Sequence, residues 1–166
     1  DIELDIYPAL EYVPEASHGK LESLTGESNL FSRYNLIMPD IKIKQEVNQV
    51  TNNKLLITIP SEMPERLNDV FLRINYLGDT GMGFINNELV ADNFYYGSDW
   101  EIGFKRFMDQ PDSKEMLFYF RPLYKDAPFY EDFAPELIPD FSQSGRIFKI
   151  NNTQFIPEYK AVVQFE

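Results

Sequence analysis

The sequence predicts an all-β fold, an antiparallel β-sandwich or jelly roll. Three observations carry that expectation. About ten short segments alternate apolar with polar residues, at spacings of roughly 8 to 15 residues. No segment shows the apolar spacing of an amphipathic helix. Glycine, proline and paired asparagines separate the segments in the manner of turns. At 166 residues the chain has the size of one domain with a proper core. No repeat, low-complexity tract or linker divides it, so residues 1–166 are expected to form a single domain.

Taken in order, Ile2, Leu4 and Ile6 alternate with acidic residues and predict an opening strand ended by Pro8. Residues 11–29 hold Pro14, Gly19 and Gly26 and read as an irregular connection carrying His18. Residues 30–38 predict a second strand. Ile41 and Ile43, alternating with Lys42 and Lys44, predict a third. Residues 48–53 read as a turn, 55–59 as a strand closed by Pro60, and 61–68 as one helical turn. After a polar loop at 109–114, Met116, Phe118 and Phe120 predict a strand buried on at least one side. Residues 122–139 carry Pro122, Pro128, Pro135 and Pro139 among aromatics and read as an ordered loop pinned by its rings. Residues 146–150, an Asn151-Asn152 turn, 153–156 and 159–165 close the chain as two or three strands.

Residues 69–107 are the organising stretch. Val70, Leu72, Ile74 and Tyr76 alternate with Phe71, Arg73 and Asn75, so this strand is expected to be central and covered on both sides. Gly78-Asp79 and Gly81 break the run. Phe84-Ile85 and Leu89-Val90 flank Asn86-Asn87, a pair that tolerates positive φ and suits a two-residue hairpin turn. The segment from Asp92 to Trp100 then mixes aromatics with short polar side chains.

These residues carry a resemblance. The matching pieces are Asp69 to Tyr76, Gly78-Asp79, Leu89 to Asp92, Phe94-Tyr95, Gly97, Trp100 to Gly103, Lys105 to Phe107 and Arg121 to Tyr130. In order and spacing they resemble the galactose-binding-like β-sandwich accessory domain of bacterial β-galactosidase-type glycoside hydrolases. Asn86-Asn87 stands where an Asn-Gly type turn is usual, and Tyr96 where an asparagine is. Residues 1–60 lie outside the resemblance. It implies a non-catalytic module, which binds carbohydrate weakly or supports a neighbouring catalytic domain. It also implies export to the periplasm, the cell surface or the extracellular space. The catalytic (β/α)8 barrel of such enzymes needs on the order of 200 to 250 residues, too many for this chain. No catalytic site is therefore expected here.

Charge narrows the partners. With 27 acidic and 15 basic residues the net charge is −12, the wrong sign for neutralising phosphates, so no nucleic-acid partner is expected. Anionic membranes and polysaccharides are disfavoured likewise, and no apolar run approaches the roughly 18 residues of a membrane span, so no membrane insertion is expected. The chain starts at Asp1 without a signal-like stretch, which reads as a mature or trimmed fragment. It has no cysteine, which removes disulfides, thiolate nucleophiles and cysteine zinc sites.

Sugar binding needs a flat aromatic face with carboxylates or amides beside it for the hydroxyls. Trp100, Tyr95 and Tyr96 supply rings, and Asp92, Asn93 and Asp99 supply polar groups. Tyr124 and Tyr130 form a second group that could line the same groove. A tryptophan at a strand start, as Trp100 is, is more often a core or inter-domain plug than a binding platform. A concave groove floored by Trp100 would favour the binding module. An exposed apolar patch rimmed by charge would favour a purely structural domain facing a partner. A stand-alone glycosidase would require two converging carboxylates, with Asp92, Asp99 and Glu101 the nearest to hand. No cofactor is expected, apart from the chance of a structural calcium on Asp126, Glu131 and Asp132. A single histidine makes zinc and a Ser-His-Asp triad on His18 poor readings. Gly81-Met82-Gly83 precedes strand-like residues and so is no phosphate loop. Asn151-Asn152-Thr153 is formally a glycosylation sequon.

Overall fold

The structure, a computed structural model, describes residues 2–24, 30–44, 46–108, 115–128, 130, 133–141 and 144–165. It is mostly β. The strands are β1 (Ile2–Ile6), β2 (Glu15–Ala16), β3 (Lys20–Leu24), β4 (Ser32–Ile37), β5 (Val47–Thr51), β6 (Lys54–Thr58), β7 (Leu67–Leu77), β8 (Thr80–Ile85), β9 (Glu88–Phe94), β10 (Trp100–Gly103), β11 (Glu115–Phe120), β12 (Leu123–Tyr124), β13 (Arg146–Ile147), β14 (Lys149–Tyr159) and β15 (Val163–Gln164). One short helix, α1 (Lys105–Met108), and a 3-10 turn at Pro135–Leu137 complete the described elements. No helix among the described residues is long and apolar enough to cross a membrane.

The chain forms two compact units. The first comprises Asp1–Lys42, Pro64–Asn68 and Glu158–Glu166, and the second Ile43–Met63 and Asp69–Pro157. In the first unit, β4 is the centre of an antiparallel sheet ordered β1-β4-β3, and β15 pairs with β2. Tyr34 and Leu36 of β4 are buried with Leu67, while Arg33 faces out and pairs with Asp5 at 2.8 Å. The Tyr34 hydroxyl donates to the Tyr12 carbonyl at 2.9 Å, tying the 10–14 loop to β4.

In the second unit the sheets are antiparallel where their registers are defined. One is ordered β10-β7-β14, a second β5-β6-β11-β8-β9, and β12 pairs with β13 in a small third. The alternation in β7 buries Val70, Leu72, Ile74 and Tyr76, and β10 adds Trp100 and Ile102 to the same face. Leu55 and Ile57 of β6, and Met116, Phe118 and Phe120 of β11, line the facing surface of the five-stranded sheet. The two faces meet through rings, with Trp100 edge-on to Phe118 at 5.4 Å and Tyr76 against Phe120 at 4.9 Å.

The β8–β9 hairpin turns at Asn86-Asn87, with φ of 50° and 68°, and Ile85 opposite Glu88. That is the two-residue turn the sequence predicts. Strand β7 is central, flanked by β10 and β14, but its other face is only half-covered: Phe71, Arg73 and Asn75 keep partial exposure. Further expectations are corrected. Residues 20–24 form β3 within the supposed irregular connection, and residues 47–51 form β5 where a turn was expected. Ile41 and Ile43 belong to no strand, and 61–66 makes turns without a helix before β7 begins at Leu67. Asn151-Asn152 lies inside β14 and not at a turn, because Asn151 Nδ2 donates to Asn75 Oδ1 at 2.6 Å and extends the ladder. The expected 109–114 loop lies outside the described residues.

Candidate functional site

The residues singled out for sugar contact come from one hairpin and the loop after it, and the fold disperses them. Trp100 opens β10 opposite Ile74 and points inward at 6 % exposure. Phe118 and Phe120 both stand edge-on to it, and Gly81 of β8 lets the indole lie against the strand. A Cβ at Gly81 would sit 2.7 Å from Trp100 Cζ3. Of the three roles open to Trp100, sugar platform, core and inter-domain plug, the structure gives it core packing. No ring face is left on which a sugar could stack.

Asp92 and Asp99 separate as well. Asp92 lies opposite Met82, on the outward face of the five-stranded sheet. Asp99 accepts a hydrogen bond from Asn75 Nδ2 on the outward face of β7. With Asn151, this makes a polar ladder across three strands, β14, β7 and β10, next to the Arg73–Glu101 ion pair at 2.5 Å. Asn93 turns inward and donates to the Tyr76 hydroxyl at 2.8 Å. Burial raises the Tyr76 phenol from its usual 10.0 to about 12, against the pull of the Asn93 bond. Asp92 therefore lies apart from Asp99 and Glu101, which share the outward face of the β7 sheet and are bonded to Asn75 and Arg73.

Other predicted residues are brought together. The Tyr95 amide donates to the Asp79 carbonyl at 2.9 Å, and its ring lies 5.8 Å from Tyr76 and 6.2 Å from Phe133. Phe133 in turn meets Tyr130 at 6.1 Å, and Tyr130 meets Phe141 at 5.9 Å. The Tyr130 hydroxyl donates to the Tyr124 carbonyl at 2.5 Å. Burial raises the phenols of Tyr95 and Tyr130, helped at Tyr130 by the charges of Asp126 and Asp79. This chain of rings pins the 133–141 loop against the hairpin, and Gly97, at φ +91°, fits closely under Leu137. Of the expected sugar contacts, only Tyr96 and Tyr124 keep broadly open rings, at 60 % and 45 % exposure.

The feature the sequence reading missed is the outward face of the five-stranded sheet. Cross-strand registers place Leu56, Leu117, Phe84 and Leu89 in one row over β6, β11, β8 and β9. The next row is Lys54, Tyr119, Met82 and Asp92, with the Lys54 ammonium 5.8 Å from the Tyr119 ring centre. On the inward face Ile57, Met116, Phe118 and Phe120 are fully buried. The outward residues of the three inner strands stay partly exposed except Thr80, which is buried, and Leu89 and Phe94 on edge strand β9 are mostly open. Lys54, Asp92 and Glu115 edge this apolar field. The available signal was that Leu117 and Tyr119 make β11 apolar on both faces.

A separate cleft of about 490 Å³ lies over β7 and β10, with Phe71 and Gly103 lining it among Asp69, Glu101, Lys105 and Arg106. Its charges are engaged within the protein: Asp69 Oδ1 accepts from the amides of Val70 and Lys105, and Glu101 pairs with Arg73. Among the described residues, no cluster of three or more His, Asp or Glu could hold a metal ion. Glu131 and Asp132 of the expected calcium set lie outside the described residues. His18 sits half-buried in a bend between β2 and β3, and Gly81-Met82-Gly83 lies within strand β8. No protein-family model, curated protein or solved structure matches the chain.

Proposed function

We propose that this chain is a non-catalytic β-sandwich accessory module of the glycoside-hydrolase type it resembles, and that it works by docking on protein. The observation that carries this reading is the outward face of the five-stranded sheet, a continuous apolar field edged by charge. Uncovered apolar patches of this kind mark contact surfaces in otherwise water-exposed proteins. The alternative, a sugar platform on Trp100, loses its main support because that indole is enclosed. The ring contacts between the two sheets of the second unit support the sandwich reading. The setting expected from the resemblance is the periplasm or cell surface.

The test sets the two readings against each other. The purified protein would be screened on an array of galactose-containing glycans, beside a Tyr96→Ala variant. Binding of a fluorescent apolar dye would be measured for wild type and for Phe84→Glu with Leu117→Glu. Docking predicts no retained glycan, and dye binding lost in the double variant with its circular dichroism unchanged. A glycan held by wild type and released by folded Tyr96→Ala would overturn it in favour of carbohydrate binding.

A further inference from the structure

We infer that the occupant of this sheet face is the same face of a second copy of the chain, in a two-fold dimer. The inference rests on the docking reading above and adds the identity of the partner. Its basis is the order of residues along the rows. Lys54, Tyr119, Met82 and Asp92 run in that order over β6, β11, β8 and β9. An anion closes the row on edge strand β9, and near its other end the cation on β6 stands next to Thr51 of β5. Three strand spacings separate them, about 14 Å.

Place a two-fold axis in the plane of the interface, parallel to the strands and between β11 and β8. It maps β6 of one protomer onto β9 of the other, and β11 onto β8. Lys54 then faces the partner's Asp92 twice over, once at each edge, and Tyr119 faces the partner's Met82. Thioether sulfur against an aromatic ring is a favourable contact. In the neighbouring row Leu56 meets the partner's Leu89, and Leu117 meets the partner's Phe84. Over these four strands each row is complementary to its own reversal, which is the condition for an isologous interface, and β5 lies outside the overlap. A parallel stacking without that reversal would set Lys54 on Lys54 and Asp92 on Asp92.

Size sets the strength. Four strands and the two rows cover roughly 250 Å² per protomer, on the order of 500 Å² in all, below the size of stable specific interfaces and in the range of weak encounters. Each protomer also carries a net charge of −12. That repulsion is long-ranged and is damped beyond about 8 Å at physiological salt, whereas the two close pairs are not. The dimer is therefore weak, in the micromolar range or weaker, and forms at high protein concentration.

The test is sedimentation equilibrium of the full chain over a concentration series at physiological salt. Wild type is expected to show a monomer–dimer equilibrium. Lys54→Glu alone and Asp92→Lys alone each set like charges together at both edges, and each should weaken the dimer by about tenfold or more. Mixed in equal amounts, the two single variants should associate with each other, because every edge then pairs a carboxylate with an ammonium. A chain carrying both substitutions should dimerise again for the same reason. Both positions are on the surface, and thermal melts would confirm that the variants fold. A wild type that stays monomeric while its face still binds the apolar dye would overturn the second copy and leave docking on another protein. A dimer unaffected by either single variant would place association elsewhere and overturn the proposal. Glycan retention lost in Tyr96→Ala would remove the docking reading beneath it.

Discussion

Gly81→Ala is the sharpest test of how Trp100 is held. The added methyl would lie 2.7 Å from Trp100 Cζ3, 2.9 Å from Cε3 and 3.1 Å from Phe120 Cε1. Neither ring has room to retreat, since Trp100 is 6 % exposed and Phe120 is fully buried. Overpacking of this kind costs about 1–3 kcal/mol, while the stiffer unfolded chain returns about 0.4–1 kcal/mol. The net expectation is a loss of about 1–2 kcal/mol, or roughly 2–8 °C in melting temperature for a chain of this length. Urea and thermal unfolding followed by circular dichroism measure it. Trp100→Phe removes the outer ring carbons that meet the methyl. The double variant should therefore lose about 1 kcal/mol less than the sum of the single ones. Gly83→Ala supplies the contrast. Its methyl would meet the end of the Met116 side chain, a flexible thioether that can move aside, so its cost should be smaller. A neutral Gly81→Ala, or strict additivity with Trp100→Phe, would refute the close packing of the indole on β8.

Two further outcomes follow from the same unit. At the hairpin, Asn86 and Asn87 both hold positive φ; Asn87→Gly should raise the urea midpoint by the equivalent of about 0.5 kcal/mol, and Asn86→Val should lower it by about 1 kcal/mol. In alkali, the Tyr76 phenol keeps its proton in the folded state up to about 12, while the unfolded chain releases it near its usual value. The folded state then holds more protons, so stability is intact below pH 10.0 and falls as pH rises toward about 12. Unfolding titrations of wild type and Tyr76→Phe across that window should show a shallower decline in the variant.

Much of the second unit was legible because one face of each strand is sealed. In β7 and β11 the alternation of apolar residues maps directly onto burial, and Asn86-Asn87 has few backbone options besides a tight turn. The misreadings fall where that coupling is absent. Strand β3 is exposed at almost every position, so burial imposes no alternation on Lys20–Leu24. Strand β5 is a polar sheet edge whose asparagine and glutamine resemble turn residues. At residues 41–44 the alternation is present but no neighbouring strand accepts it, and Ile41 instead donates its amide to the Tyr159 hydroxyl at 3.0 Å. For the site, composition put rings and carboxylates close in sequence. In a hairpin, however, successive residues point to opposite faces. Asp92 and Asn93 part company for that reason, and Trp100 turns inward while Asp99 turns out.

The outward sheet face is a different kind of omission. A strand sealed on both sides and a strand sealed on one side and waiting for a partner can share one sequence pattern. In β11, Leu117 and Tyr119 fit either. Only the incomplete burial of those residues, beside the complete burial of Met116, Phe118 and Phe120, separates the two cases. The energetics then explain why charge matters on a face that is mainly apolar. Covering on the order of 500 Å² of mostly apolar surface yields roughly 6–12 kcal/mol in gross terms, and association costs about 4–15 kcal/mol. The apolar field alone thus comes close to balancing the cost of bringing two bodies together, for almost any greasy partner. What distinguishes one partner from another is the pair of charges at its edges, and Lys54 and Asp92 are placed to match their own reversed image.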